Sequence, residues 1–149
     1  MDEDYISKAR DELKRVDHLI YVSLKYTRTV EVIRNVLSRV IEGFDVAMNA
    51  LLENKKIDEI PNITKAKCDL IKRYYEDEKT REYIEFYLYL RKLMRCKYTE
   101  RQEFRRHVTM IGNYDGTNVE VNIDNLSEVY EKLVKSFIEH VIDITKSKV

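Results

Sequence analysis

Apolar residues recur every three or four positions along the first fifty residues of the chain. They form two runs, from Ile6 to Leu24 and from Ile33 to Leu51. This spacing places the apolar side chains on one face of a helix. The runs are separated by residues 26–29, where Thr27 or Thr29 can cap the start of a second helix. One kinked helix of nearly fifty residues stays open, but a hairpin of two helices buries both stripes more readily.

The middle of the chain predicts two further helices. The single proline, Pro61, disfavours helix at the residue before it, so residues 54–62 are expected to form a connection. A third helix is predicted over residues 64–75. After an acidic break, a fourth helix is predicted to begin with Thr80 as its cap and to run to about residue 97.

The pattern changes after this fourth helix. Residues 107–111 and 119–123 alternate in polarity, and Asp115-Gly116 lies between them. Asp-Gly favours a tight turn because both residues can take a positive φ. We therefore predict a β-hairpin that pairs residues 108–112 with residues 118–122. The last helix is expected to begin near Asn125, where Asn-Leu-Ser-Glu resembles a capping box.

These elements predict an all-α fold, a helical bundle of about five helices with a short β-hairpin before the last helix. Residues 1–149 are enough for a single helical domain with its own core. Three glycines and one proline argue against β-sandwiches, barrels and Gly-rich nucleotide loops, which need many tight turns.

Charge and cysteine usage predict the setting of the protein. The 27 Lys and Arg residues balance 27 Asp and Glu residues, which excludes a globally basic nucleic-acid binder but leaves room for a local basic patch. No apolar run approaches the roughly 18 residues of a membrane span, and none near the start suits a secretory signal. Cys68 and Cys96 lack the spacing of a zinc or redox site. We expect a cytoplasmic protein that uses no membrane and no cofactor.

The segment from Arg91 to Arg106 carries seven basic residues and two acidic ones. Cationic side chains neutralise phosphates, and interleaved aromatic rings can stack on unpaired bases. The segment therefore predicts an RNA-binding patch, although a solvated helix end is the simpler interpretation of the same charges. The residues predicted to contact the substrate are Arg95, Lys97, Tyr98, Gln102, Arg105 and Arg106.

Within this segment, Arg101 precedes His107 by six positions. A histidine can move protons near neutral pH, and an arginine can hold the charge that develops on phosphorus. The other two histidines, His18 and His140, do not belong to a metal-binding pattern such as HExxH, so no metal site is predicted. Arg101 and His107 are thus the candidate catalytic pair.

This motif resembles that of HEPN domains, in which an arginine, four to six residues beginning with a polar one, and a histidine precede the last helix of a small helical bundle. The resemblance implies a homodimer that brings two motifs together at a cleft. It also implies a metal-independent endoribonuclease in which the 2′-hydroxyl attacks the adjacent phosphate. Arg101 would then stabilise the phosphate, His107 would be the acid/base, and Gln102 would fill the polar place.

Two other functions stay open at this point. Several HEPN domains are inactive binding or scaffold modules, so the fold does not decide activity. The first alternative is a non-catalytic helical interaction module that forms homo-oligomers or binds a protein partner through an apolar stripe or the edge of the hairpin. The second is a nucleic-acid binder that uses the basic patch without chemistry.

Overall fold

A computed structural model describes residues 4–146, which form five helices and one three-stranded antiparallel sheet. Helix α1 consists of Tyr5–His18, a π-helical turn at Leu19–Ser23 and Leu24–Tyr26. Helices α2, α3 and α4 are Val30–Asn54, Thr64–Tyr74 and Glu78–Arg95. Strands β1, β2 and β3 are Tyr98–Arg101, Thr109–Tyr114 and Thr117–Val121. Helix α5 consists of Ile123–Val129, a π-helical turn at Tyr130–Val134 and Lys135–Lys146.

The first two helices form a hairpin rather than one kinked helix. Thr27 ends α1 in an extended conformation, and Thr29 caps α2 because its hydroxyl accepts a hydrogen bond from the Val32 N–H at 3.3 Å. The two helices run antiparallel and approach closely, since a Cβ added to Gly43 of α2 would lie 3.6 Å from Cβ of Glu12 in α1. Most residues of both apolar stripes are buried in the fold, while Ile6 and Leu13 are half-buried.

Helices α4 and α5 begin earlier than the sequence pattern predicts. Thr80 is not the cap of α4, because the Asp77 carboxylate accepts the Thr80 N–H at 2.9 Å and thereby starts the helix at Glu78. Likewise Asn122, not Asn125, caps α5. The Asn122 and Asn125 side chains each accept the other residue's backbone N–H, which makes a reciprocal capping box.

The fold is largely helical but not all-α, since the predicted hairpin is part of a three-stranded sheet in the order β1-β2-β3. The hairpin itself pairs Met110 with Val121 and Tyr114 with Thr117, so its strands begin and end differently from the prediction. Its turn is the expected Asp115-Gly116, with φ values of 51° and 86°. Strand β1 was missed because its four residues, Tyr-Thr-Glu-Arg, are all exposed and carry no apolar alternation.

The core is one hydrophobic cluster with members from all five helices and the sheet. Phe44 of α2 lies at its centre, with its ring centroid 4.4 Å from that of Phe137 in α5 and 6.0 Å from that of Tyr87 in α4. Helix α5 buries Phe137 and Val141 in its last segment. A π-helical turn changes the spacing earlier in the helix, where the buried residues are Leu126, Tyr130 and Val134.

The π-helical turns of α1 and α5 lie against each other. The Tyr21 hydroxyl donates to the Glu131 carboxylate at 2.8 Å, and the Tyr130 hydroxyl donates to the Leu13 carbonyl at 3.0 Å. These bonds hold the last helix to the first. Among residues 4–146, no helix combines the length and the apolar character that a membrane crossing requires.

Candidate functional site

Sheet pairing explains why Arg101 and His107 lie near each other. Arg101 is the last residue of β1 and stands opposite Thr109, the first residue of β2. His107 comes two positions before Thr109, so the connection that leaves β1 returns to the same end of the sheet. We call residues 102–107 the motif loop.

Arg101 and His107 line one small cleft of about 180 Å³. Gln102 and Arg106 of the motif loop also line it, and so does Asp124 at the start of α5. The side chains of the motif residues are exposed, apart from half-buried Glu103. An incoming phosphate can therefore reach both the guanidinium and the imidazole.

The guanidinium of Arg101 already holds a carboxylate. It forms an ion pair with Glu120 of β3 at 2.6 Å, in which the two side chains are 47% and 49% exposed. An ion pair this open to water contributes at most about 1 kcal/mol, because solvent screens both charges. Because the pair is weak, the guanidinium can exchange Glu120 for another anionic group.

The motif loop is held in an unusual backbone conformation. Gln102 and Phe104 have φ values of 57° and 66°, in the left-handed region that non-glycine residues rarely occupy. Two long-range contacts maintain it: the Phe104 N–H donates to the Arg28 carbonyl at 2.6 Å, and the Glu103 carboxylate accepts the Val30 N–H at 3.3 Å. The Phe104 side chain nevertheless stays 78% exposed. The loop therefore presents an aromatic ring to solvent at a cost in both backbone strain and apolar exposure.

On the other side of β1 lies a larger groove of about 710 Å³ between the strand, the motif loop and the start of α2. Tyr98 and Glu100 line it, whereas Arg101 lines the cleft, because alternate side chains of a strand point to opposite faces. The guanidinium carbon of Arg34 lies 4.2 Å from the Tyr98 ring centroid. Phe104 completes the groove beside them.

The groove and the cleft differ in charge. Glu100 and Glu103 both line the groove, and the interaction of the two carboxyl groups raises the pKa of Glu100. The cleft instead combines Arg101, Arg106 and His107 with Asp124. One side of β1 thus presents cationic groups in the cleft, and the other side presents aromatic rings and carboxylates in the groove.

The structure separates the basic residues that the sequence groups together. Four of the predicted site residues line the cleft and Tyr98 lines the groove, while Arg95, Lys97 and Arg105 are exposed and line neither. Lys92 pairs with Asp115 in the β2–β3 turn. Arg91 faces a different cavity among the helices. Sequence reasoning missed Glu100, Asn122 and Asp124. It also missed Arg34, because this residue lies far from the motif in sequence and no local pattern marks it as part of a site.

A metal centre has no support in residues 4–146, where no group of three or more His, Cys, Asp or Glu side chains could hold an ion. Both cysteines are free thiols, Cys68 buried and Cys96 half-buried. His140 has a structural contact, since its Nε2 lies 2.8 Å from the Thr80 hydroxyl at the start of α4. It also lies 3.4 Å from the Asp77 carboxylate that caps this helix.

No family model, no curated protein and no solved structure matches this chain. The resemblance to HEPN domains therefore rests on the Arg101–His107 motif and its position before the last helix.

Proposed function

We propose that the protein binds single-stranded RNA across β1 and the motif loop, and that Arg101 and His107 cleave the bound strand without a metal ion. The observation that carries this proposal is the motif loop. It brings a guanidinium and an imidazole to one open cleft while it holds Phe104 exposed in a strained conformation. Strain of this kind persists where the surrounding structure maintains it, and it clusters at ligand-binding sites.

The aromatic rings favour an unpaired strand over a duplex. Phe104 and the partly exposed Tyr98 offer ring faces on which bases can stack once they are free of base pairing. Each stacked base contributes about 1–3 kcal/mol in such sites. Arg101 and Arg106 can hold phosphates in the neighbouring cleft.

The proposed chemistry is an internal transesterification. His107 accepts the proton of the 2′-hydroxyl, and the 2′-oxygen forms a bond to the adjacent phosphorus. The bond from phosphorus to the 5′-oxygen breaks, and that oxygen takes a proton from solvent. The products are a 2′,3′-cyclic phosphate and a 5′-hydroxyl end. Arg101 stabilises the negative charge that builds up on the phosphoryl oxygens in the transition state.

The test is cleavage of a fluorescent single-stranded RNA in the presence of EDTA. We expect His107→Ala to lower the rate by about 10²-fold or more, as loss of a general base does. We expect Arg101→Ala to lower it as well, and a 2′-deoxy linkage to resist cleavage. The matched controls are His18→Ala and Arg10→Ala, which remove an exposed histidine and an exposed arginine of α1.

Each outcome has a defined meaning. Cleavage by His107→Ala at the wild-type rate contradicts the proposed role of the imidazole. Wild-type protein that binds the RNA but leaves it intact, with affinity lost in Arg105→Ala/Arg106→Ala, selects the binding function without chemistry. Wild-type protein that neither binds nor cleaves the RNA rejects the proposal as a whole.

The second candidate is a non-catalytic interaction module, and the edge strand β1 is the observation that favours it. One side of β1 pairs with β2, and its four residues are exposed. An open edge can add a strand from a second copy or from a partner protein. Sedimentation velocity of the wild type and of Glu100→Pro distinguishes the cases. The N–H of Glu100 points away from β2 toward the open edge, so a dimer built on this edge dissociates when proline removes it.

A further inference from the structure

A second cavity, separate from the cleft and the groove, lies among α2, α3, α4 and the connection between α2 and α3. Its volume is about 550 Å³, within the range of small-molecule binding sites. Asp45, Lys67 and Arg91 bring charged side chains to it from three different helices, and Asn62 and Thr64 add polar groups at the start of α3. None of these residues belongs to the Arg101–His107 motif.

Lys67 is the least exposed charged group of this cavity. The residue is only 9% exposed, although a lysine ammonium is strongly hydrated in water. Its Nζ donates to the Asp45 backbone carbonyl at 3.4 Å and lies 3.9 Å from an Asp45 carboxylate oxygen. Burial lowers the pKa of Lys67, and the nearby Asp45 carboxylate opposes that shift only in part. These contacts are long, so the ammonium keeps the capacity to bind a further acceptor.

The Asp45 carboxylate is shared among several donors. The Tyr87 hydroxyl donates to it, and burial together with this bond raises the pKa of Tyr87, so the phenol keeps its proton. Arg91 lies 5.8 Å from the Tyr87 ring centroid and, within residues 4–146, forms no ion pair with a carboxylate. The lining of the cavity thus contains two cationic side chains and one carboxylate, which is an excess of positive charge.

The polar groups at the mouth of the cavity suit the same ligand charge. Thr64 is the first residue of α3, and Ile63 before it supplies no side-chain cap. Backbone N–H groups in the first turn of a helix lack acceptors within the helix, and an oxyanion can accept from them. The free N–H groups at the start of α3 are a secondary argument for an oxyanion ligand. The two cationic side chains are the main one.

We propose that this cavity binds the oxyanion group of a small molecule, a phosphate or a carboxylate, with Arg91 and Lys67 as its main contacts. The guanidinium of Arg91 can hold two oxygens of such a group at once. Lys67 adds a charge in a site where little water screens it. The cavity is independent of the proposed cleavage of RNA.

Titration calorimetry with inorganic phosphate and with acetate tests the proposal, with chloride used to keep the ionic strength constant. The two ions distinguish a phosphate site from a carboxylate site. We expect saturable binding of at least one of them, and we expect Arg91→Gln to weaken it by about tenfold, the effect of losing one charged hydrogen bond. Lys92→Gln is the matched control, since Lys92 is the next residue of α4 and pairs with Asp115 instead.

Three results would overturn the proposal. The first is the lack of saturable binding of either ion to the wild type. The second is equal weakening by Arg91→Gln and Lys92→Gln, which would mean diffuse attraction to surface charge. The third is weakening by Arg106→Gln but not by Arg91→Gln, which would place the ion in the cleft. Circular dichroism of each variant verifies the fold, and Arg91→Gln should leave RNA cleavage unchanged.

Discussion

The cleft and the helical cavity use the same kinds of residues in opposite surroundings. In the cleft, the Arg101 and Glu120 side chains are each about half exposed, whereas in the cavity the Lys67 and Asp45 side chains are 11% and 27% exposed. Water screens the charges of the first pair, whereas burial leaves the charges of the second pair less screened. In the cleft, a phosphate of the proposed RNA ligand can replace the Glu120 carboxylate at Arg101. The helical cavity has an excess of positive charge that an anionic small molecule can neutralise.

The largest expected effect is on the stability of the protein, which should depend more on the Lys67–Asp45 pair than on the Arg101–Glu120 pair. Asp45→Asn keeps an acceptor for the Tyr87 hydroxyl but leaves Lys67 without its counter-charge. We expect the free energy of unfolding to fall by about 2–3 kcal/mol, somewhat less than for a fully buried pair. Urea denaturation measures this change. Glu120→Gln is the matched control and should lower stability by less than about 0.5 kcal/mol. Equal costs in both variants would contradict the comparison.

Salt provides the next largest difference. Each phosphate that a protein neutralises on a single strand contributes about −0.7 to the slope of log affinity against log salt. With Arg101 and Arg106 in contact, a change from 50 to 200 mM NaCl should weaken RNA binding roughly sevenfold. Binding of inorganic phosphate to the cavity should change far less, because burial limits screening. Fluorescence anisotropy and calorimetry provide the two slopes, and parallel slopes would argue that one surface binds both ligands.

A smaller effect is expected from the ion pair in the cleft. Glu120→Gln removes the carboxylate that competes for the Arg101 guanidinium. We expect about a threefold gain in RNA affinity, in line with the modest strength of an exposed ion pair. Glu128→Gln is the control, since Glu128 forms a similarly exposed pair with Lys132 on α5. Weaker binding by Glu120→Gln would mean that Glu120 positions Arg101 for the strand.

The smallest effect concerns pH. Burial, which Asp45 counters only in part, lowers the pKa of Lys67 in the folded state, so above that value the unfolded chain binds more protons than the folded one. Stability due to this residue should therefore rise as the pH increases toward about 10.4, the ordinary lysine value. Urea denaturation at stepped pH should show the wild type gaining stability relative to Lys67→Met over this window. A loss of wild-type stability relative to Lys67→Met over this window would contradict a lowered pKa of Lys67.

Much of the helical framework could be predicted from local spacing. The apolar stripes place all five helices within a few residues, because burial of one face requires a period that the sequence shows directly. Cap positions were less predictable. Asp77 and Asn122 are the caps instead of Thr80 and Asn125, and all four side chains can accept a capping hydrogen bond. Strand β1 escaped prediction because its identity depends on pairing with β2 rather than on its own pattern.

The candidate sites show the same division. The proximity of Arg101 to His107 could be predicted, since only five residues separate them along the chain. The cavity could not, because Asp45, Lys67 and Arg91 come from three helices and no local charge pattern links them. The grouping of basic residues between Arg91 and Arg106 wrongly suggested that they form one surface. Helical periodicity turns Arg91 toward the cavity and Lys92 toward the β2–β3 turn, so neighbours in sequence serve different surfaces.

The contact between Glu103 and Val30 has a consequence for the order of folding. It joins residues 73 positions apart, and closing such a long loop costs entropy that only a largely formed structure can offset. The left-handed conformation of the motif loop thus depends on contacts with the first helical hairpin, which only a largely formed structure supplies. We therefore expect the proposed action on RNA to require the completed fold.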